Sequence, residues 1–236
     1  MKYKNLRPAI AMIELIFALV IMGIALMSAP MLISTASQSV TVALQQEGIN
    51  EASSRIAMIL TYPWDENDIN DSCIPPVLHV THGHIALEEH NQSHRIGVPL
   101  YSSSHTFKCG KSEFNASSTI GAEANDAYND DIDDFTNTSL TLDNSGSGGK
   151  DYIEKDTVSI ATSVLYNDDN TTSGNYDADT ITFNPFSTTA TGTTNIKQIK
   201  VTLTSTNSAQ ELEKTINLNA FSCNIGGYDY ERRVMP

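Results

Sequence analysis

Basic residues are scarce in this sequence. Lys and Arg total 14 against 28 Asp and Glu, for a formal net charge of −14. Five of those few stand at the ends, Lys2, Lys4 and Arg7 at the start and Arg232 and Arg233 near the finish. Such a surface repels phosphate backbones, which argues against nucleic acid as a partner. Cysteine is sparse and odd in number: Cys73, Cys109 and Cys223. None lies in a C-x-x-C pair, so neither a zinc ribbon nor a thioredoxin-like site is supported. At most one internal disulfide can form, as an exported chain permits. Cys73–Cys109 is the expected pair, with Cys109–Cys223 as the alternative and three reduced thiols as the other reading. The signatures of catalysis are missing too: no G-x-S-x-G, no Gly-rich phosphate loop, no H-E-x-x-H. Glu88-Glu89-His90 has no nucleophile or oxyanion donors beside it, so no reaction can be named. The chain reads as a non-enzyme with no required cofactor.

What is abundant lies first in the N-terminal run. Residues 10 to 33 are almost entirely apolar. As a helix they cross a hydrocarbon core of about 30 Å at about 1.5 Å per residue. The run exceeds a secretory h-region of up to about 15 residues and lacks a good signal-peptidase site. Lys2, Lys4 and Arg7 precede it, which places the short N-terminus in the cytoplasm and the remainder outside. Within the run stands one carboxylate, Glu14, at a cost of roughly 2.5–3.5 kcal/mol in a bilayer core. An ordinary anchor or a secretory signal explains the length and flanking charge but not Glu14. Cleavage between Ala9 and Ile10 explains all three. Ile10 then carries a cationic α-amino group, and Glu14 becomes the fifth residue, able to meet the amine of a neighbouring subunit. Two charges buried as a pair are far less costly than one alone.

"RPAIAMIELIFALVIMGIALMSAP" resembles the signal and first helix of type IV pilins and type II secretion pseudopilins. Ile13-Glu14-Leu15 matches the family's Ile-Glu-Leu, and Gly23 falls at its helix glycine. Ala9 stands where the family usually has Gly, and Ile10 where it usually has Phe. Pro30 falls one residue before the family's helix proline. The resemblance implies that a membrane prepilin peptidase removes residues 1–9 and N-methylates Ile10. It also implies a structural subunit, anchored in the bacterial inner membrane and then assembled into a pilus or pseudopilus. Its partners would be other pilin or pseudopilin subunits and an inner-membrane assembly platform. "DDIDDF" further resembles a short motif of minor pilins of the mannose-sensitive haemagglutinin pilus type. The competing reading is a single-pass anchored binding module that never polymerises.

The expected fold is α+β, a long N-terminal helix packed on a C-terminal antiparallel sheet. Residues 1–9 form the leader and 10–33 the membrane or filament-core helix. Residues 34–62 form its amphipathic continuation and 63–236 the extracytoplasmic head. Val40, Ala43, Leu44, Ile56, Ile59 and Leu60 mark the apolar helix face, with Gln45, Gln46, Glu47, Asn50, Glu51 and Arg55 on the other. Pro30 should kink or locally melt the helix, Gly48 should loosen it, and Pro63 should stop it near Tyr62. Trp64 reads as a packing anchor at the helix end. Four strands are expected in "DTVSIATSVLY", "DTITFNPF", "IKQIKVTLTST" and "ELEKTINLNAF", the last two as a hairpin. Ile181, Phe183, Ile199, Val201, Leu203, Ile216 and Leu218 are the candidate apolar face.

Two stretches could hold a metal. His82-x-His84 alternates as on a strand, and His90 and His94 are spaced as on a helix turn; the bland reading is a polar hairpin. In "NDAYNDDIDDFTN", Asp126, Asp130, Asp131, Asp133 and Asp134 could offer oxygens to calcium. Some pseudopilins bind calcium in a loop, but no EF-hand spacing is present, and a solvated acidic loop is the simpler expectation. Asn91, Asn115 and Asn170 each have an acidic residue two before and a hydroxyl residue two after, as in a bacterial glycosylation sequon.

Overall fold

The apolar run and its polar continuation form one helix, α1 (Arg7–Ile59), of 53 residues. This computed structural model describes residues 7–68, 77–87, 115–123, 128–143, 157–206 and 213–226. The helix is unbroken at Pro30, so the local melting expected there does not occur. It is equally continuous through Gly48. Its end tightens: Leu60 N–H still bonds Ile56 O, but Thr61 N–H reaches back only to Met58 O and Tyr62 N–H to Ile59 O. That shift to shorter loops is how helices close, and Pro63 follows directly.

The two halves of α1 live in different surroundings. From Ala11 to Val40 every residue is exposed, including Leu26 at 73% and Met27 at 79%. Burial begins at Thr41 and recurs at Leu44, Gly48, Ala52 and Ile59, the three-to-four spacing of one helix face. Val40, Ala43 and Leu60, expected on that face, are exposed. Gln45 and Arg55, expected to face solvent, reach the sheet instead. Gln45 Nε2 donates to Ser205 Oγ at 3.1 Å. Arg55 donates from Nε to Thr162 Oγ1 at 2.7 Å and from Nη2 to Thr138 Oγ1 at 2.6 Å. The contact stripe follows size as well as hydropathy. A Cβ on Gly48 would stand 2.7 Å from Leu203 Cδ1 and 2.9 Å from Val158 Cγ1, so a glycine lets the helix approach the sheet there.

The sheet is a four-stranded antiparallel meander in chain order: β1 (Ser139–Asp143), β2 (Thr157–Asn167), β3 (Ile196–Thr206) and β4 (Lys214–Cys223). Its register sets Leu140 opposite Ile160, Ile160 opposite Leu203, and Leu203 opposite Ile216. Alternation turns Val158, Ile160 and Val164 of β2 and Ile199, Val201 and Leu203 of β3 into the core with Leu44, Ala52 and Ile59. The β3–β4 pair is the hairpin expected from the sequence. "DTITFNPF" is not a strand: Thr182 makes only an isolated bridge to Ser173, and Ile181 is 41% exposed. Asn184 and Pro185 interrupt its alternation, and both are turn formers. The fourth strand is instead β1, which pairs with the edge of β2 not taken by β3 and is too short to stand out in the sequence.

Candidate functional site

Two places among the described residues carry unusual chemistry. The first is the exposed half of α1. By length and composition it is long and apolar enough to cross a membrane. Ala9 and Ile10 lie in its first turns, Glu14 and Gly23 are exposed along it, and Pro30 is near its middle.

The second is a buried charge cluster where the helix end meets β2 and β3. Lys197 shares the parity of Ile199, Val201 and Leu203, so β3 turns its side chain inward, to zero exposure. Its ammonium donates to Trp64 O at 2.7 Å, to Asp65 Oδ2 at 3.2 Å and to Asp133 Oδ1. The Trp64 ring centroid lies 4.5 Å away and that of Tyr166 5.4 Å. Desolvation acts to lower the Lys197 pKa, but the charges of Asp65 and Asp133 outweigh it, and the group is held above its ordinary value.

Each carboxylate is fixed by backbone donors. Asp65 accepts from Asn67 N–H on Oδ1 and from Ser117 N–H on Oδ2, at 3.1 and 2.9 Å. Asp133 Oδ2 accepts from Gly121 N–H at 3.1 Å. Asp131 Oδ1 accepts the N–H groups of Asp133 and Asp134, and Asp134 Oδ2 those of Asp130 and Asp131. These reciprocal bonds wind Asp133–Phe135 into a single 3₁₀ turn. Tyr166 Oη donates to Ser117 O at 2.6 Å. Burial, then the charge of Asp133, push Asp131 up to about 8, with Lys197 opposing. Its Oδ2 is buried without a hydrogen-bond partner among the described residues. Burial and the charge of Asp65 likewise hold the Tyr166 phenol above its usual range.

The acidic run is therefore not a solvated loop. Asp130 is exposed, but Asp131, Asp133 and Asp134 are buried at 1%, 1% and 3% exposure. Unpaired acids would not tolerate this; a buried lysine, backbone N–H groups and a retained proton make it possible. Asp65, Tyr166 and Lys197 were missed by sequence reasoning, although strand parity points two of them inward. The histidine expectation also changes. His82 and His84 sit in a turn before a 3₁₀ segment (Ile85–Leu87), not on a strand. His82 Nδ1 pairs with Thr81 Oγ1 at 2.9 Å, and the His84 ring lies edge-on to Tyr176. Among the described residues no three His, Cys, Asp or Glu converge to hold a metal ion.

Trp64 does anchor the helix end: it is buried, its Nε1 donates to Ser222 O at 3.3 Å, and its ring meets Tyr166 edge-on. Cys223 is half-buried at the end of β4. Cys73 and Cys109 lie outside the described residues, as do His90, His94, Asn91 and Asp126. Asn115 and Asn170 are both exposed. No protein-family model, no curated protein and no solved structure matches this chain.

Proposed function

We propose that the chain is a structural subunit, of the minor kind, of a type IV pilus or a type II secretion pseudopilus. The observation that carries this reading is the division of α1. One continuous helix docks on the head from Thr41 onward and leaves everything from Ala11 to Val40 exposed. A long stretch of exposed apolar helix is stable in water only when covered. Lipid covers it before assembly, and the equivalent helices of neighbouring subunits cover it afterwards.

Glu14 fits the same scheme. After a prepilin peptidase cuts between Ala9 and Ile10 and methylates Ile10, the new amine of one subunit pairs with the Glu14 carboxylate of another. Apolar burial drives assembly and this ion pair sets register. Gly23, which carries no side chain, would let a neighbouring helix approach closely. The N-terminus starts in the cytoplasm, the head lies outside, and an inner-membrane assembly platform extracts the subunit. The head has no catalytic part in this reading.

The test is intact mass and N-terminal sequencing of chain recovered from membranes, with and without the peptidase. A start at N-methylated Ile10, dependent on the peptidase, is expected. A chain that keeps Met1 in its presence overturns the proposal in favour of a non-polymerising anchored module.

A further inference from the structure

The cluster around Lys197 has more than an ion pair needs. A primary amine, a carboxyl in contact with it, a second carboxyl touching the same amine and a backbone N–H on the far carboxyl oxygen lie together, buried from solvent. We propose that Lys197 and Asp133 condense into an intramolecular amide bond, with Asp65 relaying the proton.

The geometry assigns each part. Lys197 Nζ touches Asp133 Oδ1, which places it beside the carboxyl carbon it would attack. Holding nucleophile and electrophile in contact removes the entropy barrier of a bimolecular condensation. Gly121 N–H donates to Asp133 Oδ2 at 3.1 Å. It is therefore positioned to stabilise the negative charge that develops on that oxygen during addition. Asp65 Oδ2 stands 3.2 Å from Nζ and is oriented by Ser117 N–H.

The step balances. Asp65 takes one proton from the ammonium, leaving a neutral amine. Nζ adds to Cγ of Asp133, forming the C–N bond. Asp133 Oδ1 then collects that proton from Asp65 and a second from the nitrogen, and leaves as water. The products are one amide, one water and Asp65 as it began. No oxidant, reductant or cofactor enters.

Burial supplies the driving force. In water, solvation of ammonium and carboxylate opposes condensation. Here Lys197 and Asp133 are at or below 1% exposure, so this pair of ions has lost most of that solvation and a neutral amide can take its place, while Asp65 keeps the N–H groups of Asn67 and Ser117 as donors. The ammonium form is favoured in the starting state, so the neutral amine is rare and the reaction slow. A bond made once in the life of the protein tolerates a slow step. It would tie β3 to the segment preceding β1. This inference is independent of the pilus reading.

Tryptic mapping of the purified full chain by tandem mass spectrometry decides it. Trypsin does not cut after an acylated lysine. The expected product is residues 112–150 joined to 156–200, about 18 Da lighter than the two together. Asp133→Asn should keep the link with ammonia as the leaving group, making the product about 17 Da lighter instead. Asp65→Asn, which keeps an oxygen for Ser117 N–H, should slow or abolish it. Separate linear peptides with cleavage after Lys197 in the wild type overturn the proposal. So does a link mapped to a carboxyl other than Asp133.

Discussion

Lys197 stands directly opposite Tyr166 in the β2–β3 register, and both side chains turn to the helix side of the sheet. Tyr166 Oη reaches Ser117 O and, at 3.4 Å, Asp65 Oδ2. One cross-strand pair therefore joins the sheet, the loop after α1 and the acidic 3₁₀ turn. The head is organised around this junction as much as around its apolar core.

Lys197→Met should destabilise the head by about 3–5 kcal/mol, because it strands the buried Asp65 and Asp133 carboxylates without the Lys197 nitrogen that meets them, as ammonium or as amide. The urea midpoint of the detergent-solubilised chain measures it. Adding Asp65→Asn and Asp133→Asn to the same chain should recover part of the loss.

Stability should fall as pH rises from about 4 to about 8. Asp131 has an ordinary value of 3.8 and is raised to about 8 in the fold. Between those values the folded chain holds a proton that the unfolded chain has released. The contribution is complete below about 4 and is lost as pH climbs through about 8. Asp131→Asn keeps the oxygen that accepts the Asp133 and Asp134 N–H groups. Its unfolding midpoint should therefore depend less on pH than that of the wild type, when both are compared at pH 5 and 8.5.

Gly48→Ala sets two effects against each other. Alanine gains about 1 kcal/mol of helix propensity. Its Cβ also meets Leu203 and Val158 at under 3 Å, and overpacking of this kind costs about 1–3 kcal/mol. A net loss in thermal midpoint is expected. Gly48→Val should lose more, since it adds bulk while giving up part of the propensity gain.

Glu14→Ala should insert in the membrane as well as wild type or better, since it removes a carboxylate from an apolar span. In a sheared-filament preparation it should be strongly under-represented. Equal incorporation of variant and wild type would refute the pairing of Glu14 with a neighbour's N-terminal amine.

The parts of the fold legible in the sequence are those with a strong period or a strong stop. The apolar run, Pro63 and the alternation of β2 and β3 are visible because each is a local property of the chain. Thr41, Gly48 and Ala52 are not, because they face the sheet by being small, and hydropathy weighs them lightly. "DTITFNPF" misleads because β-branched composition outweighs its Asn and Pro. The buried cluster is hardest to see. Five carboxylates in a short stretch look like a solvated loop until a lysine from far along the chain comes to meet them. Lys197 carries one local clue: in "IKQIKVTLTST" it has the core parity, whereas Lys200 has the outer one.

The seam between α1 and the sheet also fixes an order of events. Gln45 is bonded to Ser205, and Gly48 rests on Leu203. The helix surface made early in translation thus waits for strands made near its end. The meander can pair strand by strand as it emerges, each beside the one before. The seat for Leu44, Gly48 and Ala52 exists only once β3 has joined β2. Until then that stripe has nothing to pack on, and the nascent chain is most open to mispairing. With the apolar half anchored as proposed above, the stripe would be held at the membrane surface meanwhile, and the last strands would close onto a helix whose position is already set.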